Sequence, residues 1–583
     1  MIRTDRRLLK FVLILAFALA ALRTAGTAAG PSLSGGELTV LGKVTNTQGI
    51  PVENARVRVS TDGKPAFFKE DGERVDSLST NQEGLFLGDV DLEGREHVPE
   101  QITLTINKES FRTEQVEFSA GELTCGAGQC YARTGDVVLH RILNAAFFLA
   151  SGIFIIVFGM ISFNLVHETI ATFLGSAAML GVSYFLGSSQ PQYWIIGFHN
   201  AIEFIDFEVI FLLLAMMIFM AIMSQTGVFR WLAYRTFRVG KGNNFIIALI
   251  LILITGFTSA VLNDTTVMLL MTPISIQIAL ALKIRPEAIV IPEILASNIG
   301  GAATLIGTPP NTIIGSYVGL GFNQMLVNML PISLLSMGVL ILMTRRLFQD
   351  QFFRDSSTIS EALQDELAKT SQITDKPLLT KSLILFGITM ILFFIEDLFH
   401  MPPAVVALIG ASSLLLWVQP NISEMLKEVD WTTLVFFMTL FMMVGGIQKV
   451  GLIQLIAESV QQIAGGNLLL ATLLIIWVSA FASAIVANIP FTVAIVPVTV
   501  FLTSRIPGAE NNILYWALAV GAGLGGNATY IGSAPNIVAA GIMDRAGYRM
   551  SFADFSRIGV PITFATLLIS TLWILARYLW LGS

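Results

Sequence analysis

The chain has 583 residues, 54% of them hydrophobic and only 13% charged, with a formal net charge of -6. Average usage is about 25% charged, so this composition excludes an ordinary soluble enzyme, and without a block of Lys or Arg it excludes a nucleic-acid footprint as well. The average hides a division, since 29 of the 112 residues from Gly30 to Arg141 are charged against 41 of the 442 from Ile142 onward, and that shift predicts a small water-soluble module followed by a large membrane domain.

Residues 1–29 begin with Arg3, Arg6, Arg7 and Lys10, continue through the apolar run Phe11 to Leu22, and end on the small residues Thr27, Ala28 and Ala29. That order is the order of a secretory signal peptide, with an uncleaved N-terminal anchor as the other reading. Either one puts the next segment, residues 30–141, outside the cytoplasm. From Glu37 to Leu139 the sequence alternates apolar and polar residues between turn signals, as in Ala55-Arg56-Val57-Arg58-Val59 and Ile102-Thr103-Leu104-Thr105-Ile106, which predicts a small antiparallel β-sandwich. Gly42-Lys43-Val44 through Gly49-Ile50-Pro51-Val52-Glu53-Asn54-Ala55-Arg56-Val57, with Thr80-Asn81-Gln82-Glu83-Gly84-Leu85-Phe86, resembles the regulatory-like β-sandwich of carboxypeptidases. His97 and His140 are isolated, and the segment reads as a spacer or partner-binding module. Cys125 and Cys130 are the only cysteines. In an exported compartment this C-x4-C pair predicts a local disulfide, and free thiols if the segment stays inside.

Beyond Arg141 the apolar stretches lie near 143–164, 169–187, 208–227, 243–282, 288–320, 323–344, 382–398, 403–419, 431–451, 467–503, 512–543 and 559–579. Each can cross roughly 30 Å of hydrocarbon as a helix, and the longest exceed one crossing. The two halves repeat. At an offset of 224 residues Ile205-Asp206-Phe207 aligns with Val429-Asp430-Trp431, Ser259-Ala260-Val261 with Ser483-Ala484-Ile485, and Pro273 with Pro497. One residue further on, at 225, Gly300-Gly301-Ala302-Ala303-Thr304-Leu305-Ile306-Gly307-Thr308-Pro309-Pro310-Asn311 aligns with Gly525-Gly526-Asn527-Ala528-Thr529-Tyr530-Ile531-Gly532-Ser533-Ala534-Pro535-Asn536. With the module outside, Arg230, Arg235, Arg238, Lys241, Lys283, Arg285, Arg345 and Arg346 all fall on the cytoplasmic side, as the positive-inside rule requires. Asp206 then lies outside and its mate Asp430 inside, so the halves have opposite orientation. The expected organisation is transmembrane repeat 1 over 142–344, a cytoplasmic linker over 345–381 and transmembrane repeat 2 over 382–583. The expected fold is a polytopic α-helical membrane protein of two inverted repeats, each with a re-entrant hairpin and a broken helix.

The chemistry belongs where polar residues interrupt these stretches. The hairpin tips are Thr258 to Thr266, containing Asn263, Asp264, Thr265 and Thr266, and Ser479 to Pro490, containing Ser483 and Asn488. The Gly- and Pro-broken helices are Gly307-Thr308-Pro309-Pro310-Asn311 and Gly532-Ser533-Ala534-Pro535-Asn536. Irregular backbone at membrane depth is tolerated only inside protein or beside water, and broken helices offer carbonyls to a cation and N-termini to an anion. Close helix packing by small residues is the competing explanation.

Ser297-Asn298-Ile299-Gly300-Gly301-Ala302-Ala303-Thr304-Leu305-Ile306-Gly307-Thr308-Pro309-Pro310-Asn311, preceded by Asn263-Asp264-Thr265-Thr266, resembles the ion transporter superfamily. It is most similar to the branch of arsenite permeases, D-type sodium/proton antiporters and the melanosomal P protein, with citrate and dicarboxylate carriers as more distant relatives. The resemblance covers roughly Asn144 to Leu579. It implies a scaffold, a moving transport domain, an elevator-like cycle and a homodimer. It further implies a Na+ site at Thr258, Asn263 and Gly307, a mirror site at Ser483, Asn488 and Gly532, and substrate contacts near Thr308, Pro309, Ser533 and Ala534. Ser297, Asn298, Asn311, Asn527 and Asn536 complete the expected ion and substrate set, with Na+ or H+ as coupling ion and no cofactor.

The first tip departs from the Ser-Asn-Thr of the carboxylate carriers. Asp264 there would repel a dianion and attract sodium or take a proton, although the hairpin's own amides can also satisfy such an acid. Glu293 is a second proton-coupling candidate, with Leu518 as its repeat mate, so the halves are chemically unequal. Glu203, Asp206, Glu208 and Asp430 are interfacial by position. Gly521-Ala522-Gly523-Leu524-Gly525-Gly526 matches a dinucleotide-binding pattern but lacks the strand-turn-helix unit that chemistry needs. No catalytic motif is present, so an enzyme is not expected. The sequence therefore points to an ion-coupled secondary transporter of the cytoplasmic or plasma membrane, by antiport or metalloid-oxyanion efflux ahead of carboxylate symport, with a membrane sensor as the rival class.

Overall fold

The structure, a computed structural model, describes residues 37–47, 49–70, 73–81, 83–91, 99–108, 110–126, 129–240, 243–353 and 372–580. The signal peptide expected over 1–29 and much of the expected linker lie outside the described residues. The chain divides between Leu143 and Asn144 into two compact units.

The first unit is built of strands β1 (Glu37–Asn46), β2 (Arg56–Thr61), β3 (Lys64–Glu70), β4 (Glu73–Val75), β5 (Leu78–Ser79), β6 (Leu85–Asp91), β7 (Gln101–Asn107), β8 (Glu114–Ser119), β9 (Thr124–Gly126) and β10 (Gln129–Leu139). They hydrogen-bond in the order β8-β7-β2-β3-β6-β1-β10-β9, with β4 on β3 and β5 on β2. Alternation in sequence becomes alternation in burial: Ile102, Leu104 and Ile106 are buried in β7 while Gln101 and Asn107 are exposed. These residues join Leu38, Val40, Val57, Val59, Phe68, Ala132 and Leu139 in one apolar core. One ladder departs from the antiparallel expectation, because β1 and β10 run parallel, with Leu38 opposite Cys130 and Val44 opposite Val137. A parallel pair needs a crossover of a dozen or more residues, and the strands between the first and the last provide it. The short β9–β10 ladder sets Cys125 opposite Cys130, and Cys130 is disulfide-bonded.

The second unit is helical. Helices α1 (Ala145–Ser162) and α2 (Glu168–Gly181) lead into a set of seven: α3 (Phe207–Gln225), α4 (Val228–Val239), α5 (Asn244–Val261), α6 (Asp264–Ala281), α7 (Glu287–Gly301), α8 (Pro309–Val318) and α9 (Phe322–Leu347). Two helices, α10 (Lys376–Phe399) and α11 (Pro403–Val418), connect to a second set in the same order: α12 (Trp431–Lys449), α13 (Leu452–Ala464), α14 (Leu468–Ile485), α15 (Asn488–Arg505), α16 (Ile513–Gly525), α17 (Ala534–Arg545) and α18 (Phe552–Leu575). Among the described residues eleven helices are long and apolar enough to cross a membrane. Helix α9 runs on past the expected linker boundary at Arg345 to Leu347, and a short helix follows at Gln349–Phe352.

Start signals recur at the repeat offset. Asp206 caps α3 by accepting from Glu208 N and Val209 N, and Asp430 caps α12 by accepting from Thr433 N, which gives these two acids structural work. Asn243 and Asn467 cap α5 and α14 in the same way. Gly227 (φ 76°) and Gly451 (φ 87°) turn the chain sharply from a spanning helix into α4 and α13, a left-handed corner that glycine adopts without strain.

Two hairpins, α5–α6 and α14–α15, and two interrupted pairs, α7–α8 and α16–α17, form the centre. The half-helix α17 packs on α6 of the first hairpin, and α8 packs on α15 of the second. This reciprocal exchange is the pseudo-two-fold relation that the inverted repeat predicts.

Candidate functional site

Each hairpin tip is fastened to the helix break of its own half by the same bonds. In the first half Asp264 N donates to Gly307 O at 3.2 Å, and in the second Asn488 N donates to Gly532 O at 3.1 Å. Ser259 Oγ donates to Ser297 O and Ser483 Oγ to Ala522 O, both at 2.8 Å. Thr304 Oγ1 reaches Ala260 O and Thr529 Oγ1 reaches Ala484 O. The glycines permit this approach: a methyl group on Gly307 would lie 2.4 Å from Gly301 O and 2.7 Å from Ser259 O, and one on Gly532 would lie 2.6 Å from Gly526 O.

These bonds set out which residues of the two halves correspond. Ser259 and Asp264, not Thr258 and Asn263, are the structural mates of Ser483 and Asn488. Asn263 instead caps α6, accepting from Thr265 N at 3.1 Å and Thr266 N at 3.3 Å, whereas its mate Ala487 has no side chain that could cap α15. Thr258 stands one residue off the tip-to-break contact and gives its carbonyl to Leu262 N. Ser259, which the 224-residue offset pairs with Ser483, stands outside the expected set.

The breaks are held open by asparagine. Asn311 Nδ2 donates to Ala302 O (2.9 Å) and Thr304 O (2.8 Å), and Asn536 Nδ2 donates to Gly526 O (2.8 Å) and Thr529 O (2.9 Å). Thr312 Oγ1 takes Leu305 O at 2.7 Å. The carbonyls of residues 302, 304, 305 and 307 thus already accept one bond each, and each keeps a second lone pair. Pro309 and Pro310 open α8, and Ala534 and Pro535 open α17, where a missing N–H costs nothing.

Across the pseudo-two-fold, α7 sends Asn298 into the second half. Asn298 Nδ2 donates to Asn527 Oδ1 at 2.7 Å and Asn536 Oδ1 at 2.8 Å, and Asn298 Oδ1 accepts from Ser533 Oγ at 2.9 Å. Asn527 Nδ2 reaches Leu295 O at 3.4 Å. Asn298, Asn527, Ser533 and Asn536 therefore form one buried cluster. In the first half Thr308 Oγ1 and Asn311 Oδ1 are buried with no hydrogen-bond partner.

Asp264 is 1% exposed. Its Oδ1 accepts from Thr265 N at 2.7 Å and Thr265 Oγ1 at 3.2 Å, so the hairpin satisfies part of the acid itself. Ser297 Oγ sits 3.2 Å from both Ser259 Oγ and Asp264 O. One helical turn back along the α5–α7 contact, Glu293 is fully buried and takes Thr255 Oγ1 on Oε1 at 3.2 Å, with Ser275 of α6 beside it. Glu293 Oε2 has no partner. Two polar rungs, Ser259–Ser297 and Thr255–Glu293, therefore lie one above the other, about 6 Å apart by helical rise.

A family model described as "Citrate transporter" matches residues 153–521. A 46 kDa membrane protein of Mycobacterium leprae is 34% identical over 432 residues, covering 74% of this chain and 99% of that protein. The human P protein is 32% identical over 512 residues, covering 74% of this chain and 60% of its own length. Among solved structures, the YdaH transporter of Alcanivorax borkumensis matches with a TM-score of 0.49 at 14% identity, over 71% of this chain and 99% of that one. The class that fold and relatives define is the integral membrane transporter. Within it, the chain belongs to the citrate transporter family of the ion transporter superfamily.

Proposed function

We propose that this chain is an ion-coupled secondary active transporter that moves a small inorganic ion or anion, by cation/proton antiport or metalloid-oxyanion efflux, with Asp264 as the coupling charge. The observation that carries this reading is a buried carboxylate at one tip-to-break contact and a neutral amide, Asn488, at the other. A carboxylate at membrane depth is costly and is retained for function. Glu293, one turn behind the tip with an unpartnered oxygen, is suited to hold a proton that moves with the cycle. The seating of each half-helix on the opposite hairpin supports a single body that travels in an elevator-like stroke, within a homodimer and with the β-module on the extracytoplasmic face. Sodium-coupled carboxylate symport is the second reading, favoured by the family description. A multivalent carboxylate would have to approach Asp264 in a low-dielectric site, where like charges repel strongly. Flux in proteoliposomes under separately imposed sodium and proton gradients tests the proposal. Uphill movement that follows one of these gradients is expected, and movement indifferent to both contradicts it.

A further inference from the structure

The two breaks face different surroundings. In the second half, Ser533 Oγ and Asn536 Oδ1 both end on the Asn298 amide, with Asn527 as its third partner. The 225-residue offset makes Gly523 the counterpart of Asn298 and Ala302 the counterpart of Asn527. The first break therefore meets no amide at either place. Thr308 and Asn311, the counterparts of Ser533 and Asn536, are 1% and 0% exposed, yet Thr308 Oγ1 and Asn311 Oδ1 have no partner. The orientation of Asn311 is fixed, because its Nδ2 clasps the first break as Asn536 clasps the second. Its Oδ1 is thereby set toward the place that an amide at 523 would fill. A side chain can start there, since the nearest neighbour of a methyl group built on Gly523 is Ala302 Cβ at 3.7 Å. A buried oxygen left unpaired costs about 1–3 kcal/mol, and an orphan of this kind in a native fold calls for an explanation.

We propose that Asn298 is a built-in occupant of the second break, so that the chain works with one ligand-binding break, the first, where Thr308 Oγ1 and Asn311 Oδ1 receive a monovalent cation. Asn311 Oδ1 is an acceptor only, so its partner must be positive or donate a hydrogen bond, and a bare carboxylate does neither. The inference rests on the transporter reading above and narrows it from two mirror-image ion sites to one.

The test uses the purified full-length protein and sodium as probe, with choline chloride at equal ionic strength as control, and reads the thermal unfolding midpoint against sodium concentration. Stability at saturating sodium is expected to rise with ln[Na+] at the limiting slope of one bound ion in the wild type, and at a slope rising toward two ions in Asn298→Gly, which frees the second break. Gly523→Asn offers the missing amide to Thr308 and Asn311, and its apparent sodium affinity is expected to fall by about tenfold or more. Thr308→Val, which keeps the shape and removes the oxygen, is expected to weaken sodium similarly and covers the case in which Gly523→Asn does not fold. A two-ion slope from the wild type, no sodium response from it, or a folded Gly523→Asn or Thr308→Val that binds sodium like the wild type overturns the proposal. Coupled flux of Asp264→Asn separates this failure from that of the transporter reading: if that flux is lost while Gly523→Asn still binds sodium, only the single-break inference falls.

Discussion

At the level of single residues, Glu293 belongs to one rung of the α5–α7 contact and Asp264 touches the next through Ser297, but the two acids have different surroundings. Asp264 is held by the amide and hydroxyl of Thr265, whereas Glu293 has one oxygen on Thr255 and one without a partner. Glu293→Gln preserves the volume and the Thr255 contact, so the variant should fold. If Glu293 carries the proton, flux by this variant should lose its dependence on pH across the range where the wild type responds, as measured in proteoliposomes with matched internal and external pH. An unchanged pH profile would remove Glu293 from the proton path. Both acids were legible in the sequence, because a carboxylate stands out in an apolar helix. Their partners were legible only in part: Thr265 beside Asp264 stood in the expected set, whereas Thr255 beside Glu293 is a small polar residue of a kind that occurs throughout such helices. The same ambiguity bears on Thr258 and Asn263: adjacent Thr and Ser, and adjacent Asn and Asp, are alike in sequence, and the backbone bond from Asp264 N to Gly307 O shows only that Asp264 is the structural mate of Asn488.

At the level of elements, close approach of α5 and α7 depends on glycine. A methyl group on Gly300 would lie 2.0 Å from the Gly256 carbonyl oxygen, a clash with backbone that no rotamer relieves. Gly300→Ala should therefore destabilise the protein by about 3 kcal/mol and lower its unfolding temperature. Gly338→Ala on α9, where nothing lies within 4 Å of the added carbon, should be neutral or gain up to about 1 kcal/mol from helix propensity. Equal effects of the two would show that the α5–α7 contact is looser than drawn. The hairpins and breaks could be read from the sequence because Gly, Pro and Asn punctuate apolar runs at a constant offset. Helices α4 and α13 could not be found as spans, because they are amphipathic: Phe229, Ala233 and Phe237 are buried while Arg230, Arg235 and Arg238 are exposed. Their signal is a 3.6-residue stripe, which a search for continuous apolar runs passes over. The parallel β1–β10 ladder was likewise invisible, since alternation marks a strand but not its neighbour.

At the level of the whole molecule, the chain joins a β-unit with its own apolar core to a helical unit that contains both tips and both breaks. A unit with its own core can fold alone, so a chain lacking residues 30–141 but keeping its N-terminal 29 should transport at a rate within about twofold of the full chain. Loss of flux with normal membrane insertion would instead make the β-unit part of the transport machinery, or favour the sensor reading. The central claim is that coupled movement runs through the one acidic tip-to-break contact. Ion-driven flux by Asp264→Asn in proteoliposomes, at matched protein density and with folding checked by thermal unfolding, tests it most directly. Flux should fall to the level of empty vesicles while the unfolding temperature stays near that of the wild type. Wild-type turnover by the folded variant would contradict the account.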